Sequence, residues 1–537
     1  MRGDFDGDGR AEIPVTGSAG LGLLGWSGGA LRAELIAPNG VLAGDWLLDA
    51  EKNRFHLVAD LDGDGRAEIL VSGVKGIAVL ARDGPGALGS VMTARDGSAV
   101  GGRLLDVVND GFGPAGDLDG DGRDEVLVVG EAGIAVLALA GPGAPDSLAT
   151  VPNGARIGPW TLDTARDRFG PVGDLDGDGR AEIVVSGPGG LGVLKLDAGA
   201  LTCPFMLGPA VLGEVDFPIA AADFAGDGRD EVLLVGAEGL AVLRGGSLLA
   251  SPHAARVGPV GDFDGDGRAE IVVSGADGIA VLGLSDGGFA PRAEASDGDV
   301  LGAWRLDAGR DRCVAAADLA GDGRARVVVA GPAGLGVLEC ADGGLRAVSA
   351  TPRGTGLGDW PLDAADRIGI EPEVVRVHVK ILAVPDVAIA EMFAAAERVF
   401  GTAGLRLHLA GTQTLDLPDL ADLDIGGCHS GQLTGEQRAL FGHRDGAGPG
   451  DLVVYFVRGT VPPMDGCAAH PPGRPGAVVA RGAGLWTLGH ELGHVLGLRH
   501  VDAADRLMTG GGTRSITRPP PDLSPPEAAV LRHRGMP

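Results

Sequence analysis

Seven copies of an acidic, glycine-rich loop constrain this chain more than any other feature. The loops are variants of DLDGDGRAE, and their first aspartates are Asp4, Asp60, Asp117, Asp174, Asp223, Asp262 and Asp318. Each loop leads into an apolar run such as EIVVSG, a glycine-rich turn and a second apolar run such as GLGVLKL. Such runs predict β-hairpins, and the commonest repeat length, 56 or 57 residues, holds four short strands, the content of one propeller blade.

A second repeated element indicates how the repeats close on themselves. Elements similar to Trp-x-Leu-Asp end at Asp49, Asp163, Asp307 and Asp363. The last of them has no loop after it, and the first loop has no such element before it. The chain therefore opens with the second part of a blade and supplies the first part near residue 363, as when both ends of a propeller share one blade. The sequence predicts an all-β propeller of seven blades over residues 1–366.

The composition of the loops predicts calcium binding. Carboxylates stand at loop positions 1, 3, 5 and 9, glycines at positions 4 and 6 permit a tight turn, and position 7 offers its carbonyl. This all-oxygen set suits Ca²⁺, and the acid at position 9 between strands differs from the EF-hand, whose glutamate is at position 12 between helices. A solvated acidic turn is the alternative, but packed carboxylates repel one another unless a cation lies among them.

Five copies keep all four acids, and we expect structural calcium in each. The expected ligands, with the position 7 arginine contributing its carbonyl, are Asp4, Asp6, Asp8, Arg10, Glu12, Asp60, Asp62, Asp64, Arg66, Glu68, Asp117, Asp119, Asp121, Arg123, Glu125, Asp174, Asp176, Asp178, Arg180, Glu182, Asp262, Asp264, Asp266, Arg268 and Glu270. The fifth loop has Ala225 at position 3. The seventh has Ala320 at position 3 and Arg326 at position 9, so we expect it to bind no calcium, with Arg326 as the positive charge.

These repeats resemble the FG-GAP/VCBS repeats of integrin α-subunit propellers over roughly residues 1–366. The resemblance implies calcium loops of the β-hairpin type. A protein or glycan ligand on the propeller face is a further expectation.

The pattern changes after a short linker, which we place at residues 367–373. VVRVHVKIL alternates as a half-buried strand, and PDVAIAEMFAAAERVF has the spacing of an amphipathic helix that begins near Asp386. Thr434 and Gln437 have the spacing of a capping box. GLRLHLAG, DLVVYFVRG and GAVVARG are expected strands, and SPPEAAVLRHR is an expected final helix. Residues 374–537 are therefore predicted to form a separate α/β domain.

HELGHVLGLRH, residues 490 to 500, predicts a metal centre in this domain. His490 and His494 lie four residues apart, hence on one face of a helix, with Glu491 beside them. Gly497 can end the helix and turn the chain, which lets His500 arrive as a third ligand. Three neutral imidazoles leave zinc an open position at which water is acidified, and Glu491 is placed to take its proton as general base. Histidines that merely decorate a helix are the alternative.

This stretch is similar to the HExxHxxGxxH signature of metzincin metallopeptidases, over roughly the last 165 residues. The resemblance implies a methionine turn beneath the zinc, for which RLMTGG supplies Met508. Matrixins are the nearest subfamily, although Val501 differs from their diagnostic residue. The resemblance also implies that an edge strand, here GAVVARG, pairs with substrate. The wall of the pocket that follows the methionine would contain Arg514 and Arg518.

We therefore expect a zinc metalloendopeptidase that hydrolyses peptide bonds in a protein or peptide substrate, with the propeller binding substrate or anchoring the enzyme. A calcium-dependent adhesion or ligand-binding protein with an inactive protease-like domain is the alternative. The formal charge of −29 argues against nucleic-acid binding, because a phosphate backbone requires an excess of lysine and arginine. The sequence contains no run of about 18 apolar residues, so we expect no membrane span.

The expected location is outside the cell or at its surface, although no apolar signal-peptide core is visible at the N-terminus. Cys428 and Cys467 could pair in an oxidising compartment, whereas Cys203, Cys313 and Cys340 are expected to be buried thiols.

Overall fold

The computed structural model divides the chain into two compact units, Met1–Glu371 and Pro372–Pro537. It describes all residues except 1–2, 51, 85, 101–102, 108–109, 140–144, 165–166, 188, 209–214, 237–238, 245–246, 252–255, 276, 286–287, 342, 363–365, 370–372, 402, 404, 429–431, 448–450, 518–520, 522, 525–526, 528–529 and 532–537.

The described part of the first unit contains seven four-stranded antiparallel sheets, here called blades 1 to 7. One parallel pair, Glu294 with Gly344, joins the outer strands of blades 6 and 7. In blade order, each blade from its innermost strand outward, the strands are Arg367–Ile368, Ile13–Gly17, Gly20–Ser27, Ala30–Ala37; Arg54–Ala59, Glu68–Gly73, Gly76–Arg82, Leu88–Arg95; Gly111–Gly116, Glu125–Gly130, Gly133–Ala138, Asp146–Pro152; Arg168–Gly173, Glu182–Gly187, Gly190–Asp197, Ala200–Leu207; Val215–Ala222, Glu231–Gly236, Gly239–Arg244, Ser247–Ser251; Arg256–Gly261, Glu270–Gly275, Gly278–Ser285, Gly288–Ser296; Arg312–Ala317, Arg326–Gly331, Gly334–Ala341, Gly344–Pro352.

Short two-stranded hairpins link several blades. Most of these hairpins carry the tryptophan that the sequence repeats. In one of them the indole N–H of Trp160 donates to the carboxylate of Asp167, seven residues later, at 2.8 Å. This acceptor gives a partner to a buried polar group, which would otherwise destabilise the fold. The hairpin strands are Leu42–Ala43 with Trp46–Leu47, Ala99–Val100 with Arg103–Leu104, Arg156–Ile157 with Trp160–Thr161, Val300–Leu301 with Trp304–Arg305, and Gly356–Leu357 with Trp360–Pro361.

The blades pack in a closed succession. Apolar side chains of neighbouring blades share a core at each of the seven junctions in the described residues, and the junction of blade 7 with blade 1 contains Val328 and Val15. A closed circle of sheets whose inner strands precede each loop is the arrangement of a β-propeller.

The loops themselves form a second closed circle. In every copy the N–H of position 8 donates to the position 1 carbonyl of the preceding loop, at 2.6 to 3.0 Å. The donor and acceptor residues are Ala67 and Asp4, Asp124 and Asp60, Ala181 and Asp117, Asp230 and Asp174, Ala269 and Asp223, Ala325 and Asp262, and Ala11 and Asp318.

The expected linker at residues 367–373 is wrong. Arg367–Ile368 is the innermost strand of blade 1, where Ile368 pairs with Val15, and Glu373 already begins the first strand of the second unit. The reason is that blade 1 lacks a complete inner strand near the N-terminus, so the returning chain supplies part of it.

The second unit contains a five-stranded sheet with helices. Its strands, numbered in chain order, are β1 (Glu373–Ile381), β2 (Leu405–Thr414), β3 (Asp422–Asp424), β4 (Leu452–Val457), β5 (Gly459–Val461), β6 (Gly466–Cys467) and β7 (Gly476–Ala480). Its α-helices are α1 (Ile389–Gly401), α2 (Gly435–Leu440) and α3 (Thr487–Val495), and its 3₁₀ turns are Pro418–Leu420 and Thr513–Ser515. The sheet order is β2-β1-β4-β7-β6, parallel except for β6, while β3 pairs with β5 separately.

Helices α1 and α3 pack against each other, α1 also on β2 and α3 on β7. Helix α1 begins at Ile389, three residues later than expected, with Asp386 before it. The capping box of α2 is confirmed, because Thr434 and Gln437 exchange side-chain to backbone hydrogen bonds at 3.1 and 3.0 Å. No helix in the described residues is long and apolar enough to span a membrane. The expected final helix lies mostly outside the described residues.

Strand β1 is more deeply buried than its alternation predicts. Its polar residues His378 and Lys380 are buried, and the strand is central in the sheet, with β2 on one edge and β4 on the other. His378 lies 2.9 Å from the Asp451 carboxylate, and the Lys380 ammonium donates to the Gln413 amide oxygen and the Asp445 carbonyl. Hydrogen-bonded partners thus replace the solvent that a half-buried strand would meet.

Candidate metal centre

Helix α3 and its C-terminus position the three histidines. His490 and His494 lie one turn apart on α3, which ends in a Schellman motif at Gly497. The Gly497 N–H donates to the His494 carbonyl at 2.9 Å, and the Leu498 N–H donates to the Gly493 carbonyl at 2.8 Å. Gly497 has a φ of +97°, which other residues rarely adopt, so glycine is required where the chain turns toward His500.

The three imidazoles converge on one point. The Nε2 atom of His490 lies 3.2 Å from those of His494 and His500, and the latter two are 3.0 Å apart. Tetrahedral ligands at about 2.0–2.1 Å from zinc stand about 3.3 Å from one another. The donor set and its spacing therefore fit one zinc ion.

Backbone carbonyls fix the two helical imidazoles in the tautomer that a metal requires. The Nδ1 of His490 lies 2.7 Å from the Leu507 carbonyl and that of His494 lies 3.0 Å from the Leu498 carbonyl. An N–H at Nδ1 leaves the lone pair on Nε2, directed at the common point. Burial and the neighbouring imidazoles also lower the pKa of His490 to about 4, which keeps this ring neutral.

Glu491 lies beside this cluster and is 7% exposed. Burial, together with the charge of Asp465, raises the pKa of its carboxyl to about 8. Its side chain packs on the backbone of Gly466 in β6, where an added Cβ would lie 2.6 Å from the Glu491 Cγ. Glycine at 466 therefore makes the room that Glu491 occupies.

Met508, eight residues after His500, packs on helix α3, which carries two of the three histidines. It is fully buried, and its Sδ lies 2.6 Å from where a Cβ on Gly493 would stand. The Met508 carbonyl accepts from Val501 N–H at 2.9 Å, and Val501 bridges to Thr509. These contacts hold the segment after His500 against the methionine turn.

The expected edge strand GAVVARG is wrong, because β7 is paired on both sides. It lies parallel to β4 and antiparallel to β6, with Gly466 opposite Val479 and Cys467 opposite Val478. The sequence did not show that the chain after β5 folds back to cover β7. In the described residues the two edge strands of the sheet are β2 and β6, and the Cys428–Cys467 disulfide ties β6 to the segment that follows β3.

Arg514 follows the methionine turn and contacts the residue before β6 and a residue shortly after β7. Its Nε and Nη2 atoms each donate to the Asp465 carboxylate at 2.8 Å, and Nη2 also donates to the Gly482 carbonyl. Arg518 lies outside the described residues.

The loops of the first unit share one internal hydrogen-bond pattern. In loop 1, Asp4 accepts from the N–H groups of Gly7 and Gly9, and Glu12 accepts from Phe5 N–H at 2.7 Å. Both glycines have positive φ, as the turn prediction requires. The same bonds recur around Asp60, Asp117, Asp174 and Asp262 with the corresponding glutamates.

Carboxylate oxygens converge within 4.8 Å in at least four of these loops, namely loops 1, 2, 3 and 6. The clusters contain all four acids of loops 1 and 6, but three acids in loops 2 and 3, where Asp64 and Asp121 are outside the cluster. Burial and the neighbouring carboxylates raise the pKa of the position 9 glutamates to about 8 at Glu68 and about 7 at Glu125 and Glu270. A cation among these oxygens would relieve their repulsion.

Loops 4, 5 and 7 each have a basic side chain in contact with their acids. The Lys195 ammonium lies 2.5 Å from Asp176 and 2.8 Å from Asp178 and Glu182 in loop 4. Arg244 lies 2.6 Å from Asp227 and 3.1 Å from Glu231 in loop 5.

In loop 7, Arg326 lies 2.7 Å from Asp322 and 3.7 Å from Asp318, as the sequence predicts. Loop 1 is touched from blade 2 by Arg82, 3.0 Å from Asp6 and 3.9 Å from Glu12, while Glu34 lies 3.6 Å from the same guanidinium.

The position 7 arginines have a role that the sequence analysis missed. Each packs on the position 4 glycine of the preceding loop, with its nearest atom 2.5 to 3.2 Å from where a Cβ would stand. The pairs are Arg66 on Gly7, Arg123 on Gly63, Arg180 on Gly120, Arg229 on Gly177, Arg268 on Gly226, Arg324 on Gly265, and Arg10 on Gly321. The invariance of Gly and Arg at these positions among the seven copies was the available signal.

Similar solved structures include a lectin from Agrocybe aegerita that recognises non-reducing terminal N-acetylglucosamine, at 21% identity and a TM-score of 0.45, covering 64% of this chain and 91% of that one. A putative 6-phosphogluconolactonase from Bacteroides uniformis is 12% identical, with a TM-score of 0.38 and coverages of 66% and 99%. The Tc holotoxin pore of Photorhabdus luminescens is 15% identical, with a TM-score of 0.32 and coverages of 62% and 13%. No curated protein matches the chain. Residues 117–185, which span the loop of blade 3 and the first strands of blade 4, match the FG-GAP-like repeat family, and this confirms the repeat predicted there.

Proposed function

We propose that this chain is a zinc-dependent endopeptidase of the metzincin type, matrixin-like, in which an all-β propeller unit accompanies an α/β catalytic unit. The observation that carries the proposal is the convergence of three Nε2 atoms within 3.2 Å beside a buried glutamate. His490, His494 and His500 would hold the zinc. When bound, zinc supplies a Lewis acid that polarises a peptide carbonyl and acidifies water.

Glu491 would act as general base. Its carboxylate accepts a proton from the attacking water and returns it to the leaving amine. The apolar packing around Glu491 and its place against Gly466 hold the carboxyl in one position, and a base held in place requires less reorganisation during the reaction. Met508 supports the histidines from below and contributes no ligand.

The substrate would bind along β6. This strand has a free edge in the described part of the sheet, and an extended peptide can add to such an edge through backbone hydrogen bonds. Gly466 is both part of that edge and in contact with Glu491, so a peptide paired there would pass next to the base. The disulfide at Cys467 would keep the edge in place.

Structural calcium in the propeller loops is the second part of the proposal. The converging carboxylates of loops 1, 2, 3 and 6 support it. Binding of a protein or glycan ligand by the propeller and a location outside the cell stay predictions. The alternative, a calcium-dependent binding protein with an inactive protease-like unit, differs in one observable, namely peptide hydrolysis.

The test is hydrolysis of casein by the full chain in calcium-containing buffer, before and after removal of zinc by a zinc-selective chelator. We expect one zinc per chain, loss of hydrolysis on chelation and recovery when zinc is restored. Hydrolysis that is indifferent to zinc, or a zinc-loaded chain that cleaves neither casein nor gelatin, would contradict the proposal.

A further inference from the structure

One position in each blade lies opposite the position 9 residue of the loop. In blade 6, Glu270 pairs with Gly283 across the hairpin. The registers of the other six hairpins, continued by one residue, place a corresponding residue there. From blade 1 to blade 7 these residues are Gly25, Ala81, Ala138, Lys195, Arg244, Gly283 and Glu339. Small residues therefore face loops 1, 2, 3 and 6, whereas charged residues face loops 4, 5 and 7.

Lys195 uses this position to enter loop 4. Its ammonium lies within 2.8 Å of one carboxylate oxygen from each of positions 3, 5 and 9. The side chain is only 11% exposed, so these contacts are largely shielded from solvent. These three acids are ligands that calcium would need at about 2.3–2.6 Å. A positive ammonium among them both occupies the oxygens and repels a divalent cation.

We propose that Lys195 is a tethered cation that takes the place of calcium in loop 4, so that this loop is complete without a metal ion. The inference rests on the proposed calcium function of the other loops, and it changes the expected number of calcium loops from five to four. Loop 4 separates the effect of the cation from the effect of lost acids, because it keeps all four acids. From its sequence alone, loop 4 would be predicted to bind calcium.

The other two charged blades support the inference independently. Arg244 enters loop 5 from the same position and contacts its acids at positions 5 and 9. In blade 7 the charges are exchanged, with Arg326 at position 9 and Glu339 opposite it, and Arg326 pairs with Asp322. In all three loops the cation therefore comes either from the residue opposite position 9 or from position 9 itself.

Loop 1 differs from these three. Arg82 comes from the neighbouring blade and is closer to Asp6 than to Glu12, and Glu34 offsets its charge. All four acids of loop 1 still converge. The loop therefore keeps an excess of negative charge for calcium.

The experiment measures the number of Ca²⁺ ions bound per full chain by native mass spectrometry and equilibrium dialysis. Removing the charge with Lys195→Met, which keeps most of the side-chain volume, should raise the number by one. Lys195→Arg keeps the charge and should leave it unchanged. Lys75→Ala, which removes an exposed lysine, is the control for the general loss of a positive charge.

A second pair of variants does not depend on how Lys195→Met folds. Asp176→Asn in loop 4 should leave the number of bound ions unchanged, whereas Asp119→Asn at the same position of loop 3 should lower it by one. Equal numbers for the wild type and Lys195→Met, or loss of an ion in Asp176→Asn, would overturn the inference. Absence of calcium from every variant would instead overturn the calcium proposal on which it rests.

Discussion

Individual residues determine which parts of the candidate metal centre could be predicted from the sequence. The His490, His494 and Glu491 spacing fixes their common helical face, and Gly497 marks the turn that brings His500 back. The carbonyls of Leu507 and Leu498, which orient two of the imidazoles, were not predictable because a backbone acceptor is the same in every residue type. The Arg514–Asp465 pair was equally invisible, since it joins segments 49 residues apart.

Gly493 is expected to stabilise the second unit because a larger side chain would not fit there. In a helix interior, alanine is normally more favourable than glycine by about 1 kcal/mol. At this position its Cβ would meet the Met508 sulfur at 2.6 Å, so we expect Gly493→Ala to lower the free energy of unfolding by about 1–3 kcal/mol. Chemical denaturation followed by tryptophan fluorescence measures this.

The matched control is Gly484→Ala, because no atom lies closer than 4.0 Å to a Cβ at that position. It should leave the free energy of unfolding nearly unchanged. A Gly493→Ala protein as stable as the Gly484→Ala protein would show that Met508 does not pack as described.

Arg514 is expected to affect selectivity more than stability. Its pair with Asp465 is exposed to solvent and screened by it, so Arg514→Ala should leave the free energy of unfolding nearly unchanged. Because the pair joins the segment after the methionine turn to the approach of β6, its loss should change the preferred residue after the scissile bond. A peptide-library digest at equal zinc content measures this preference, and an unaltered profile would place selectivity elsewhere.

At the scale of elements, apolar periodicity located most strands of the second unit but not their neighbours. GAVVARG contains strand β7, but β6 pairs with the edge of β7 that was expected to be free. Strand β1 is likewise paired on both edges. Alternation reports the chemistry of one strand, whereas strand order depends on long-range pairing. In the first unit the repeats supplied that missing information, because each hairpin follows its own loop.

The loop circle makes a prediction for two glycines that share one backbone conformation. Gly63 and Gly65 both have positive φ, near +78° and +85°, so alanine at either position should cost about 1–2 kcal/mol. At Gly63 the added Cβ would also meet Arg123 of the next loop at 2.5 Å, while at Gly65 it meets nothing within 4 Å. We expect Gly63→Ala to melt below Gly65→Ala in calorimetry. Equal melting temperatures would show that the Arg123 contact contributes nothing.

At the scale of the whole molecule, the repeat spacing predicted both the number of sheets and the shared first blade. It could not predict the hydrogen bonds between loops or the allocation of Lys195 and Arg244, because these depend on which residues face each other across a hairpin. The same distinction separates the proposed zinc motif, which is local in sequence, from the proposed calcium loops, whose occupancy we expect to depend on neighbouring strands.

Calcium is expected to act through stability. Each ion would neutralise part of an acidic loop, and a ligand that binds only the folded state stabilises it. Withdrawal of calcium by a calcium-selective chelator should therefore lower the melting temperature of the first unit while zinc remains bound to the second. Calorimetry with parallel zinc analysis measures both quantities. Unchanged melting would contradict the calcium assignment.

The most direct test of the central claim is the rate of peptide hydrolysis by Glu491→Gln at a verified content of one zinc per chain. The substitution keeps the shape of the side chain and leaves the histidines intact, so the metal should stay bound. Without a general base we expect the rate to fall by about 10²–10⁴-fold. Glu436→Gln, on helix α2, is the control and should cleave like the wild type. A zinc-loaded Glu491→Gln protein that cleaves as fast as the wild type would contradict the account.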